Sequence, residues 1–248
     1  MNTYTLENTM NLDSKKINII ISIAGPSDVI NVKGTPILKH LIDINGEPFL
    51  NIFIKNLNID GNYIFIIQKK YNELFNLKTI ITSIVPKSKI VEIDGFKNGS
   101  ALTLFELKNV ISLESPVLFV NSDFTMDWNS SSFIKFIQDS KCDSCLVTYT
   151  SNSPKHAYCL VKDDVVINVI EKKVISDIAI VGVYYWLTGK ILMDAIFNLI
   201  SNKTNKNDIY YISESFNVLI KKNFKTLTYP VKSIKTLDCE NDIITFTL

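Results

Sequence analysis

Ala24 and Gly25 close the apolar run IIISIAG, and Lys39 follows 39 − 25 = 14 residues after the glycine. A glycine just past a buried strand lets backbone N–H groups approach a phosphate with no side chain in the way. Lys39 can then fold back and neutralise that phosphate. Ser122 and Asp123 follow the apolar run PVLFV in the triplet NSD. A carboxylate delivered to a sheet edge by a buried strand can hold Mg²⁺, which favours hard oxygen ligands and nucleotide phosphates. In DGFKNGSALTL, residues 94–104, Gly95 and Gly99 flank Lys97. Such a loop leaves backbone groups free to read a flat base edge. Glu171 is followed by Lys172 and Lys173. A carboxylate accepts and an ammonium donates, so the group can grip a sugar hydroxyl and a phosphate together. Gly182, inside an apolar run, marks close approach of a ligand or another backbone.

Each feature also has a plainer reading. Gly25 can simply turn the chain, with Lys39 solvated; Asp123 can cap a turn; residues 94–104 can be a strand-to-helix turn; Glu171 to Lys173 can be a charged hairpin end. Asp127 suits a helix cap better than a metal. Neither G-x-x-x-x-G-K-[ST] nor G-x-G-x-x-G occurs.

The elements that must position these residues alternate. Apolar, β-branched runs of strand length recur at Ile17 to Ile23, Tyr63 to Ile67, Lys89 to Ile93, Pro116 to Val120, Ser144 to Thr150 and Tyr158 to Val161. Between the early ones, Phe49, Ile52, Phe53 and Leu57 share one helix face, as do Ala101, Leu104, Phe105 and Leu107. Alternating strands and helices with buried strands predict a mostly parallel sheet covered on both faces. Past Asn121 the pattern becomes mixed. A hairpin is expected around Asp163-Asp164, a strand in SDIAIVGVYYWL, and helices over Ile191 to Ile200 and Tyr210 to Lys221. Residues 1–15 read as a loose extension and residues 16–248 as a single domain with one continuous sheet. In such sheets ligands bind beyond the carboxyl ends of the strands, which points to Gly25, Asp94 to Gly99, and Asn121 to Asp123.

The bulk numbers narrow the class. The chain has 248 residues, with 26 basic and 25 acidic side chains. That balance argues against a nucleic-acid partner, since affinity for a polyanion comes from clustered excess cation. No run reaches the ~20 apolar residues a membrane span needs, and the start lacks the features of a secretory signal. Cys142 and Cys145 form a C-x-x-C, but the only histidines, His40 and His156, lack zinc spacing, and the pair precedes a strand. Two small residues at a helix-to-strand turn in a reducing, cytoplasmic setting is the better reading. The aromatics of VYYW leave self-association as a homo-oligomer open.

The order of these features carries a resemblance. AG, then a lysine before LIDINGEPFL, a glycine-rich loop, NSD, and EKKVISDIAIVGVYYW follow one another from Lys16 onward. This resembles the nucleoside-triphosphate:sugar-1-phosphate nucleotidyltransferases, closest to their short single-domain branch, whose members read AGxGxRF…PKPLIxIxGKPM…NSDQ…EKKPISDIATVGIYYW. The resemblance implies a three-layer α/β/α sandwich with a Rossmann-like, mixed and mostly parallel sheet. It implies Mg-dependent transfer of a nucleotidyl group to a sugar 1-phosphate with release of pyrophosphate. Ala24 and Gly25 would wrap the triphosphate, Lys39 would contact phosphate, Asp123 would hold the metal, and Ser122 beside it would bind substrate. Asn98, Gly99 and Ala101 would read the base. Glu171, Lys173 and Gly182 would meet the sugar side, with Tyr158 lining the pocket.

The loop departs from the family pattern. Where GxGxR is expected the chain has Gly25-Pro26-Ser27-Asp28-Val29, and Leu38 replaces the proline before the lysine. The pyrophosphate arginine is thus Val29, Pro26 removes a backbone N–H, and Asp28 sets a negative charge where a triphosphate should sit. Asp238 is a candidate second metal ligand in a poorly matching C-terminal segment. Two alternatives follow: a nucleotide-sugar-binding or scaffold homologue that lost catalysis, and a glycosyltransferase on the same architecture. The second is weaker because NSDF supplies one aspartate of the expected D-x-D.

Overall fold

The computed structural model describes residues 16–202 and 208–247. The expected N-terminal extension lies outside them. In chain order the strands are β1 (Asn18–Ile23), β2 (Val29–Val32), β3 (Thr35–Leu38), β4 (Asp43–Ile44), β5 (Glu47–Pro48), β6 (Asn62–Gln68), β7 (Lys89–Ile93), β8 (Val117–Asn121), β9 (Phe124–Met126), β10 (Ser144–Thr150), β11 (Tyr158–Lys162), β12 (Val165–Ile170), β13 (Ile178–Trp186), β14 (Thr226–Pro230) and β15 (Ile234–Thr236). The helices are α1 (Phe49–Leu57), α2 (Lys69–Phe75), α3 (Leu77–Ile84), α4 (Ser100–Phe105), α5 (Ser130–Ser140), α6 (Gly189–Asn202), α7 (Ser215–Lys221) and α8 (Ile243–Thr247).

One nine-stranded sheet runs through the molecule, in the order β12-β11-β13-β8-β1-β6-β7, with β10 between β13 and β14. Its centre is parallel: β1 lies between β8 and β6, and β7 follows β6. The other half is antiparallel around the long β13, with β14 parallel to β10 at the edge.

The strands' alternation explains the layers. Ile19, Ile21 and Ile23 of β1 face one core with Phe49, Phe53, Leu77, Ile81, Phe133 and Ile137, from α1, α3 and α5. Ile20 faces the other, with Leu104, Leu192, Ile196, Phe216 and Leu219, from α4, α6 and α7. The structure is therefore a three-layer α/β/α sandwich. Each such side chain, fully buried, contributes about 1.5–3 kcal/mol, so the central strands are the firmest platform available to a site. Among the described residues no helix is long and apolar enough to cross a membrane.

Several expectations shift in detail. The stretch after Gly25, without helical character in the sequence, is a 3-10 turn over Pro26–Asp28 followed by the β2–β3 hairpin. The Asp163-Asp164 hairpin forms with both residues at positive φ (51° and 64°). The helix expected from Tyr210 starts later: Tyr210 spends its N–H on the Asn98 carbonyl and its own carbonyl on the Ala101 N–H. Only a 3-10 turn over Ile212–Glu214 and then α7 remain helical. Asn129, not Asp127, caps α5, its side chain accepting from the Ser132 N–H. The VYYW aromatics are core residues: Tyr184 is 5% exposed, Tyr185 and Trp186 not at all. They offer no surface for self-association. Cys142 and Cys145 are free, buried thiols at the α5–β10 turn.

Candidate active site

The sheet order fixes where a ligand can lie. From β1 the chain passes to β6 and β7 on one side, then returns to place β8 on the other. The switch in direction therefore falls between β1 and β8, where open α/β sheets bind ligands beyond the strands' carboxyl ends. Ser22 and Asn121 are register partners across this pair. Gly25 and Asp123 follow them on the same edge.

Lys39 joins the two sides. It lies in a short turn over Lys39–Leu41 after β3. Its side chain is 2% exposed, and its Nζ is 3.1 Å from Asp123 Oδ2, whose side chain is 34% exposed. A buried ammonium is costly without a partner, so Asp123 is what makes Lys39 tolerable here. The neighbouring His40 is fully buried, and burial, assisted by the charge of Lys39, holds its imidazole down to about 3. Ser122 Oγ donates to the Ser22 carbonyl at 3.0 Å, so the 2.7 Å contact between His40 Nε2 and Ser122 Oγ has the imidazole as donor. Ser122 is thereby a tether holding the NSD turn onto β1. Its hydroxyl is committed within the protein.

The Gly25 loop is pinned from behind. Gln68 Nε2 donates to the Ala24 carbonyl at 2.9 Å and Tyr71 OH to the Gly25 carbonyl at 2.8 Å. The Gly25 N–H donates to Asp28 Oδ2 at 2.7 Å. Asp28 is 8% exposed. Burial pushes its carboxyl up to about 7, against the opposing pull of Lys39. Val29, in the expected arginine's position, packs against the core. All 26 basic residues of the chain are lysines, so no arginine elsewhere substitutes for it. The Lys33 backbone N–H donates to Glu240 Oε2, which ties the hairpin tip to the C-terminal segment.

Asp238 reaches this edge through β15. Thr236 pairs with Phe124, and the Leu237 N–H donates to the Asp123 carbonyl at 2.7 Å. Asp238 is the next residue, exposed and 3.8 Å from Lys155 Nζ. His156 faces the same region: burial lowers its imidazole, while the carboxylates of Asp238 and Asp123 both act to raise it. Its Nε2 is 2.7 Å from Tyr149 OH. Sequence reasoning weighed His156 only as a zinc ligand and missed this place. Among the described residues no cluster of three or more His, Cys, Asp or Glu side chains could hold a metal ion.

The remaining candidates form a second group around residues 208–213. Asn98 Nδ2 donates to the Asp208 carbonyl, and the Ala101 N–H to the Tyr210 carbonyl. Ala101 is fully buried. Gly99, at φ 114°, lies so close under the Tyr210 backbone that a Cβ would collide with it. Glu171 accepts from Ser213 Oγ at 2.6 Å, and burial raises its carboxyl. Lys172 Nζ is 3.1 Å from Tyr211 OH and sits over its ring. Lys173 is exposed. The polar groups of residues 98–101 named here are thus engaged by the chain itself, and one segment spans both the base-side and the sugar-side candidates. Tyr158 is fully buried, and its hydroxyl donates to the Ser153 carbonyl. Gly182, at φ 102°, accommodates the Asn121 side chain, 2.7 Å from where a Cβ would be. The close approach expected there is made by a neighbouring side chain.

No family model matches the sequence, and no curated protein matches it. Solved structures do. A nucleoside-diphosphate-sugar pyrophosphorylase from Vibrio cholerae superposes with a TM-score of 0.76 at 18% identity, covering 93% of this chain and 99% of that one. A UDP-glucose pyrophosphorylase complexed with UDP-glucose gives 0.70 at 14%, covering 94% and 97%. The inositol-1-phosphate CTP transferase of T. maritima gives 0.70 at 11%, covering 92% and 91%. The chain shares, over nearly its whole described length, the Rossmann-like fold of the sugar-phosphate nucleotidyltransferases.

Proposed function

We propose that the chain transfers a nucleotidyl group from a nucleoside triphosphate to a sugar 1-phosphate or similar phosphorylated small molecule. The observation that carries this reading is the Lys39–Asp123 pair, 3.1 Å apart at the switch point of the sheet, on a fold that pyrophosphorylases share. A phosphate oxygen of the acceptor attacks the α-phosphorus in line, and the bond to the β-phosphate oxygen breaks to release pyrophosphate. The acceptor is already ionised, so no general base is needed. Positioning and charge neutralisation carry the chemistry. Lys39 holds Asp123 in place and sets positive charge at the β1–β8 edge. His40 and Ser122 fix the turn that bears Asp123. Lys173 supplies a mobile cation on the sugar side, beside Glu171.

The donor set fits Mg²⁺. Asp123 and Asp238 offer hard carboxylate oxygens, and Mg²⁺ is commonly held by one or two carboxylates with phosphates and water completing its shell. When bound it neutralises charge on the transferring phosphates.

The test is direct. With Mg²⁺, each of the four common nucleoside triphosphates and a panel of sugar 1-phosphates, at least one pair releases pyrophosphate. A specific observation favours the second reading, a binding or scaffold homologue: Asp28 holds the Gly25 N–H, and Asn98 and Ala101 are bonded to residues 208–210. Nucleotide-sugar binding without pyrophosphate release from any pair is the result that selects it.

A further inference from the structure

Asp28 is a side chain the proposed reaction has no use for. It ends a one-turn 3-10 helix, and a carboxylate accepting from the N-cap N–H is common there. A capping carboxylate is usually wet; this one is 8% exposed. The groups that face it are charged or titratable: Lys39 and Asp123, which carry the proposed chemistry, and Tyr71, whose hydroxyl holds the Gly25 carbonyl. Residues 25, 26 and 28 offer no free backbone N–H. The Gly25 N–H is on Asp28 Oδ2, Pro26 has no N–H, and the Asp28 N–H is on the Gly25 carbonyl. When ionised, above about pH 7, the Asp28 carboxylate sets the protein's own anion on the backbone that follows β1.

We propose that Asp28 is a resident anion that competes with polyphosphate for the Gly25 N–H and the field of Lys39, making the edge selective for ligands whose phosphates end over Asp123. This rests on the nucleotide reading given above and adds a substrate class to it. The terminal phosphates of a triphosphate meet a like charge at short range, where bulk salt screens little. A nucleoside diphosphate sugar has no such tail, because its second phosphate is esterified by the sugar. The chain therefore favours nucleoside diphosphate sugars over triphosphates of the same base. Asp28 must leave the Gly25 N–H before a triphosphate can seat.

Calorimetric titration of the full chain at pH 8.5, where Asp28 is ionised, tests this, with inorganic tripolyphosphate, uridine triphosphate and a uridine diphosphate hexose as probes, on wild type, Asp28→Asn and Asp28→Ser. Both variants are expected to bind tripolyphosphate about tenfold tighter or more, as removal of one like charge near a polyanion dictates. The diphosphate hexose changes by less than about threefold on the same grounds. Unchanged or weaker tripolyphosphate binding in variants that melt like wild type overturns the proposal. Should both variants fail to fold, wild type alone decides: tighter binding of the triphosphate than of the diphosphate hexose overturns it, and the reverse order supports it. A tripolyphosphate gain with no nucleotide bound to any form upholds Asp28 as the resident anion and ends the nucleotidyl reading.

Discussion

Asp28 also leaves a mark on stability. Its carboxyl titrates near 3.8 when unfolded and near 7 when folded. Between those values the folded chain binds more protons than the unfolded one, so stability falls as pH rises from about 4 to 7. A shift of that size corresponds to up to about 4 kcal/mol. Asp28→Asn removes the penalty: thermal melts should show the variant gaining over wild type at pH 8 and not at pH 4. A gain confined to acid would contradict the burial argument. Asp123→Asn acts in the opposite sense. It strips a buried lysine of its counter-charge, at a cost of about 3–5 kcal/mol, and it removes the carboxylate proposed to hold magnesium. Magnesium-dependent nucleotide binding, measured by titration, should weaken by about 10- to 100-fold. Binding that stays as tight as wild type would exclude Asp123 as the proposed magnesium ligand.

At the scale of elements, how each piece is held decides what the sequence could reveal. β1, β6 and β8 are buried on both faces, so their apolar runs were legible within a residue or so at either end. Gly25 and Asp123 were legible as site candidates for the same reason, since a buried strand must surface at its carboxyl end. The β2–β3 hairpin was not, because its two four-residue strands alternate poorly and depend on each other for pairing. Tyr210 and Tyr211 were misread as helix because the backbone partners of Tyr210, Asn98 and Ala101, lie more than a hundred positions away. No local pattern encodes that contact. It predicts a sharp effect at Gly99. Gly99→Ala brings both a strained positive φ and a clash with Tyr210. Hydrogen exchange should then rise across residues 98–101 and 208–212 together, with β1 and β6 unchanged. Exchange rising at one segment only would mean the two are not coupled.

At the scale of the whole molecule, we expect one folding unit: a division between the parallel and antiparallel halves would break the β8–β13 ladder. The two tryptophans report on the two cores separately: Trp128 packs against one and Trp186 is buried in the other. Denaturant curves of Trp128→Phe and Trp186→Phe, each read through the remaining tryptophan, should share one midpoint once the variants' stabilities are matched by circular dichroism. Two midpoints would indicate two units. The resemblance in the sequence foretold this architecture over nearly the whole chain. It could not foretell how the loop after β1 is filled, because that depends on the burial of Asp28 and not on its identity.

The thiols provide a handle on all of this. Cys142, Cys145 and Cys159 are sealed in the interior, whereas Cys239 is exposed, directly beside Asp238. A maleimide dye would therefore attach to the folded protein at one place, next to Asp238. Its emission would follow ligand arrival there in real time, without any engineered cysteine.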